Sequence, residues 1–390
     1  MVPAVALGCL LALLAPSQAF MASGPGFASL ARHQGVTTLQ VAPATDEEVV
    51  RQTSIKQFYE VIKAKISSPE SGVKERFQQS LYEFLDGYTN SALKAGIKFD
   101  AFQYNIGSLM KFIPQQLSEP FKFQLYHEAI REPFDMYEWG NSFFSPMVEF
   151  ENSSLAGKEN LEKIAQCIKD GDNVFLLSNH QTEADPQVIS LLMEKEGYGE
   201  LAEKLINVAG HRVTTDPLAI PFSMGRNLFC IYSKKYMETP PELKGEKQAH
   251  NVQTLKRMAG MMSEGGQFIW VAPSGGRDRP DPDTGKFVVA PFDPKSVEVF
   301  RLMAAKASRG ANKTKTRFFS FAMWTNRLVP PPDTVNKELG EKRTAERGPV
   351  SIYFGEEIAS AGVDRATFAA AAEGATIRDY EKLNQFHGVP

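Results

Sequence analysis

Cysteine is scarce in this chain, with only Cys9, Cys167 and Cys230 among 390 residues. That excludes a disulfide framework, and no cysteine–histidine cluster has the spacing of zinc ligands. Cys167 and Cys230 are expected as buried, reduced thiols. A large charge of one sign is also missing: the net charge is −3, so nothing global argues for nucleic acid. Long apolar runs are lacking after the first residues. Residues 2–14 are apolar but shorter than the roughly 20 residues that span a bilayer, and no transmembrane segment follows them. The chain has no Gly-x-Ser-x-Gly elbow, no Gly-Lys-Ser/Thr phosphate loop and no dinucleotide fingerprint after a strand. A serine hydrolase is thereby disfavoured, and neither a cofactor nor a metal is expected.

What remains is ample for a core, since 43% of the residues are hydrophobic. Residues 1–19 read as a signal peptide, with Ser17, Gln18 and Ala19 as a small-x-small cleavage pattern. Residues 20–45 carry no acid and are rich in Ala, Ser and Gly, as in a plastid transit segment. Such a two-part leader points to the stroma of a secondary plastid, with ordinary secretion as the alternative. Residues 46–145 are expected to form a helical bundle domain. Val49, Ile55, Phe58, Ile62 and Ile66 suit one amphipathic helix, Phe77, Leu81, Phe84, Leu85 and Tyr88 a second, and Phe102, Ile106, Leu109 and Phe112 a third. Gly72, Gly96 and Pro114 punctuate them.

From residue 146 to 390 the texture becomes α/β. Short apolar strands at 173–178, 206–209, 228–232, 267–271, 318–324 and 350–354 alternate with helices near 161–169, 186–195, 244–263 and 293–308, and a last helix covers 364–386. This alternation predicts a mixed sheet flanked by helices.

The chemistry concentrates in residues 179–186, NHQTEADP, which follow the strand at 173–178. A histidine and an aspartate five positions apart do not share a helical face. They meet if His180 sits in a turn and Asp185 opens the next helix, as N-cap with Pro186 in the first position. That geometry suits a general base whose tautomer is fixed by a carboxylate. Spacing alone favours a satisfied loop histidine beside a capping aspartate.

The string Asn-His-x4-Asp resembles the first signature of glycerolipid acyltransferases, and residues 180–186 resemble its form in soluble chloroplast glycerol-3-phosphate acyltransferases. Similar blocks occur at 127–135 (HEAIREPFD), 215–235 (TDPLAIPFSMGRNLFCIYSKK), 270–282 (WVAPSGGRDRPDP) and 338–343 (ELGEKR). The resemblance implies His180 as catalytic base and Asp185 as its partner. It also implies that Arg277, Arg279 and Lys235 bind the phosphate of glycerol 3-phosphate, with Arg226 as a second-tier anion ligand. Guanidinium forks suit phosphate, and Gly275 and Gly276 allow close backbone approach or positive φ. A solvated loop with Asp278, Asp281 and Asp283 neutralising the arginines is the bland alternative. Tyr236 stands where the family has a histidine; it donates a hydrogen bond but brings no charge, so the histidine's part does not carry over. His211 is expected to be structural.

The implied reaction moves an acyl group from an acyl carrier protein, or CoA, thioester to the sn-1 hydroxyl of glycerol 3-phosphate. An acyltransferase using lysophosphatidic acid, or a silent acyl-carrier-binding protein on the same fold, are the rivals. For docking of an acidic carrier, the acid-free span 301–317 offers Lys306, Arg309, Lys313 and Lys315.

Overall fold

The computed structural model describes residues 45–331 and 343–389, apart from residue 72. The leader, its cleavage site and all of the 338–343 block except Arg343 lie outside the described residues. Three long helices come first: α1 (Asp46–Ser67), α2 (Glu75–Lys94) and α3 (Phe99–Ser118). The predicted apolar positions are their buried faces, except that Phe58 and Phe112 are half-buried and Val49, in the first turn of α1, is exposed. Pro114 does not end the third helix but sits inside it. Its missing N–H removes one ladder bond. Burial of Ile113 and Gln116 on either side keeps the last turn in place.

After α4 (Met136–Phe144), the chain alternates. In order come β1 (Ser154–Ala156), α5 (Lys158–Lys169), β2 (Asn173–Ser178), α6 (Asp185–Lys195), α7 (Gly199–Glu203), β3 (Leu205–Gly210), α8 (Ile220–Met224), β4 (Asn227–Ile231), α9 (Lys234–Met237) and α10 (Lys244–Glu264). Then follow β5 (Phe268–Val271), the ribbon β6 (Arg279–Pro280) and β7 (Phe287–Val288), α11 (Pro294–Arg309), β8 (Thr316–Trp324), β9 (Ser351–Glu357) and α12 (Arg365–Phe386). Strands β1, β6 and β7 span two or three residues, too few for a period to register.

Seven strands form one sheet in the order β1-β9-β8-β2-β5-β3-β4. All neighbours are parallel except β8 and β9. The central β2 is buried at every position, as a parallel strand covered on both faces must be. Val174 and Leu176 face one core, which also holds Phe84 and Tyr88 of α2, Phe102 of α3, Trp139 and Phe143 of α4 and Val188 of α6. Phe175 and Leu177 face the other, filled by Met258 and Met262 of α10, Phe300 of α11 and Phe368 of α12. The first core runs unbroken across residues 145 and 146, so the helical part is packed onto one face of the sheet. Both Cys167 and Cys230 are buried free thiols. Among the described residues, no helix is long and apolar enough to cross a membrane.

Because β2, β3, β4, β5 and β8 run in one direction, the turns after Ser178, Gly210, Ile231, Val271 and Trp324 gather at one edge of the sheet. That carboxyl edge is where open α/β sheets bind ligands.

Candidate active site

His180 follows β2 by two residues and Asp185 opens α6. Nδ1 of His180 lies 2.7 Å from Oδ2 of Asp185. The same oxygen accepts the Gln181 backbone N–H at 2.8 Å, and Oδ1 accepts the Thr325 hydroxyl at 2.6 Å. Asp185 is the first residue of α6 rather than its N-cap, and Ala184 takes the cap position without a side-chain bond. The carboxylate is already committed to three donors, so it turns back to the imidazole instead of capping its own helix. With Nδ1 engaged, Nε2 is the basic nitrogen, and a carboxylate-held imidazole of this kind can accept a proton there. Asp185 is fully buried, whereas a quarter of the His180 side chain is exposed. Trp270 of β5 meets the imidazole edge-on, 5.6 Å between ring centres.

Both neighbours of His180 are clamped. Asn179 exchanges two hydrogen bonds with the backbone of Met323, at 2.8 and 2.9 Å. Gln181 accepts from the Thr325 N–H at 2.8 Å and donates to the Tyr380 hydroxyl at 2.9 Å.

The loop after β5 comes to the same place. Gly275 takes φ +68°, which turns the chain, whereas Gly276 stays out of the left-handed region. The backbone N–H of Asp278 donates to the His180 carbonyl at 2.6 Å. Arg277 and Arg279 flank that residue, so the two motifs expected to share a site are joined by a direct bond. Nη1 of Arg277 is 3.5 Å from Oε1 of Glu183. Glu183 also accepts from Arg343 Nε at 2.7 Å, and Arg343 Nη2 donates to Asp216 at 2.7 Å. Burial alone would raise the Glu183 carboxyl, but Arg343 and then Arg277 hold it at about 2.

Residues 153–323 match the family model described as Acyltransferase. A chloroplastic glycerol-3-phosphate acyltransferase of Carthamus tinctorius is 38% identical over 323 residues, covering 80% of this chain and 68% of that protein. The chain belongs to the chloroplastic glycerol-3-phosphate acyltransferase family. The protein of that name from Spinacia oleracea is 40% identical over 273 residues, or 70% of this chain, and that from Arabidopsis thaliana is 44% identical over 227 residues, or 58%. The chain spans 57% and 48% of the lengths of those two relatives.

Within this family fold, Lys234, Lys235 and Tyr236 form α9 just beyond the carboxyl end of β4. Lys234 Nζ donates to Asp293 at 2.6 Å, and the Asp293 N–H donates to the Pro273 carbonyl at 3.2 Å. Buried Lys247 donates to the Tyr236 carbonyl at 2.9 Å. The backbone of Lys235 is therefore tethered beside the arginine loop; its side chain lies outside the described part. His211 bonds the Tyr232 hydroxyl at 2.9 Å, and burial, then His250 and Lys247, push its imidazole down to about 4.

Two expected contributors are not brought here. Arg226 immediately precedes β4, at the amino edge of the sheet. It donates to Ser190 at 2.7 Å and to Asn141, and lies 4.5 Å from the centre of the Tyr137 ring. Burial lowers it to about 10. It braces α4 against α6, at the wrong end of the strands to reach the arginine loop. The cationic span 301–317 is also at the amino edge, because Thr316 pairs with Asn173 at the start of β2. Its two ends are neutralised, Arg301 by Glu298 and Arg317 by Asp172 and Glu357. Thr325 had no part in the sequence reading; Glu183 and Arg343 stand inside its motifs without an assigned role, and Asp278 entered it only as a neutraliser of the arginines.

Proposed function

We propose that this protein transfers a fatty acyl group from a thioester, with acyl carrier protein as donor and CoA as the other option, to the sn-1 hydroxyl of glycerol 3-phosphate, giving lysophosphatidic acid. The observation that carries this reading is the 2.6 Å bond between the Asp278 N–H and the His180 carbonyl, which ties the arginine loop to the base. The names of the relatives supply the acceptor. Arg277, Arg279 and Lys235 hold the phosphate, placing a hydroxyl at Nε2 of His180. The imidazole takes the hydroxyl proton as oxygen attacks the thioester carbonyl. Asp185 fixes the tautomer and stabilises the imidazolium, and the collapsing intermediate expels the thiol, which recovers the proton. No acyl-enzyme forms, and neither metal nor cofactor takes part. Plastid stroma is the proposed location, in line with the chloroplastic relatives and the leader.

The test is incubation of protein beginning near Asp46 with glycerol 3-phosphate or lysophosphatidic acid and a panel of acyl carrier and CoA thioesters. Monoacylated glycerol phosphate should form, and His180→Ala should lower the rate about 10²–10⁴-fold with the fold intact. Turnover retained in that variant removes the imidazole from the reaction; transfer only to lysophosphatidic acid replaces the acceptor.

A further inference from the structure

Asp278 is a buried carboxylate placed between the two arginines, and the reaction written above gives it nothing to do. Its bonds are unusually concentrated on the catalytic turn. The backbone N–H reaches the carbonyl of His180 at 2.6 Å. Oδ2 accepts from Asn179 Nδ2 at 2.8 Å and from Gln181 Nε2 at 3.3 Å, the residues on either side of His180. Oδ1 accepts the Ala290 N–H at 2.9 Å, from the loop that follows β7. The side chain is fully buried, and burial pushes its carboxyl up to about 6 despite these donors. A buried acid kept at that cost has to be fully bonded, and it is.

The pattern is reciprocal. Both neighbours of His180 grip Asp278, and both neighbours of Asp278 are the arginines proposed for the phosphate. We infer that Asp278 is a positioning residue that fixes the span between the phosphate-binding arginines and the imidazole, and so selects which hydroxyl of the acceptor is acylated. This rests on the acceptor proposed above. The two hydroxyls of glycerol 3-phosphate sit on adjacent carbons, so a displacement on the order of 1 Å changes which one meets Nε2, and an error of that size costs about 10²-fold in rate. Asp278 touches neither phosphate nor hydroxyl. It acts through the rigidity of the loop that carries Arg277 and Arg279.

Asp278→Asn tests this, because it keeps the shape but turns one acceptor into a donor facing the amides of Asn179 and Gln181 or the Ala290 N–H. Wild type and variant are compared for kcat and KM with glycerol 3-phosphate, for Kd of glycerol 3-phosphate by calorimetry, and for the ratio of the two monoacyl regioisomers by NMR of promptly quenched product. The inference expects kcat to fall about tenfold or more, Kd to stay within about threefold, and the regioisomer ratio to drop about tenfold. An unchanged ratio, or a loss of kcat/KM accounted for wholly by Kd, overturns it. A variant that unfolds is replaced by Asp278→Glu, which keeps charge and acceptors but lengthens the arm; a wild-type ratio there also overturns the inference. Failure of the wild type to acylate glycerol 3-phosphate is a separate result, which removes the proposed function and this inference with it.

Discussion

The hydroxyl of Thr325 donates to Oδ1 of Asp185 at 2.6 Å, at a fully buried position just past β8. With the Gln181 N–H on Oδ2, this bond on Oδ1 helps to hold the carboxylate facing the imidazole, so a residue 140 positions away contributes to the orientation of the proposed partner of His180. A hydrogen bond to a charged group contributes about 1.5–3 kcal/mol. Thr325→Val, which keeps the shape and loses the donor, should lower kcat about 10–100-fold while leaving KM for glycerol 3-phosphate within about twofold. Thr325→Ser should restore most of the rate. Steady-state kinetics decide, and an unaffected kcat would leave the histidine–aspartate pair without need of Thr325.

A second relation links stability to the phosphate side. Glu183 bonds Arg343 and lies beside Arg277, while Arg343 also bonds buried Asp216. Glu183→Gln leaves a buried guanidinium with one carboxylate instead of two, and breaking a buried pair costs about 3–5 kcal/mol. Because the folded-state carboxyl of Glu183 is depressed to about 2 from an ordinary 4.5, its ionisation stabilises the fold fully above pH 4.5. That contribution is lost as the pH falls through 4.5 towards 2. The gap in unfolding free energy between wild type and Glu183→Gln should therefore be constant from neutral pH down to about 5 and close below it. Denaturant melts across pH measure it; a gap that persists at pH 2 contradicts the assignment.

How much of this was legible beforehand follows from range. The strand at 173–178, the turn at His180 and the helices on both sheet faces are local patterns of hydrophobic period, Gly and Pro. They stand in the structure within a few residues of expectation. The site motifs were legible because each is contiguous. Arg226 was misplaced for the same reason: it lies in a contiguous motif, yet the parallel run of β4 carries it to the amino edge, while α9, a few residues later, stands at the carboxyl edge. Thr325 and Arg343 reach Asp185 and Glu183 across 140 and 160 positions. No period or spacing records a contact made by sheet order. The span 301–317 is acid-free in sequence, yet Arg317 at its end is paired with Asp172, just before β2, and with Glu357 of β9.

That last point carries its own test. The exposed lysines Lys313 and Lys315 lie at the amino edge, about the length of β2, roughly 20 Å, from His180. On the proposed reaction, a carrier docking at the carboxyl edge beside His180 leaves these lysines uncovered. Reversing both charges, Lys313→Glu with Lys315→Glu, should leave KM for the acyl carrier substrate within about twofold at low and at physiological salt. An increase of tenfold that vanishes at high salt would return the docking site to this surface.

Tyr236 offers a test of whether α9 meets the proposed acceptor. It is half-buried in α9, whose frame is pinned by Lys247 at one carbonyl and by the Lys234–Asp293 pair at the other end. A phenol in this position offers a neutral donor, whereas a histidine offers a charged one, and charge-assisted bonds are roughly twice as strong. Tyr236→His should then lower KM for glycerol 3-phosphate about 5–30-fold with kcat little altered, because the added contact is made equally in ground and transition states. The direction with pH follows from the ordinary histidine value near 6.5: protonation, and with it the advantage over tyrosine, grows as pH falls from 8 to 7. Initial rates at both pH values measure the effect. A KM that stays put at both shows that α9 does not meet the phosphate, and the anion would then be held by the arginine loop alone.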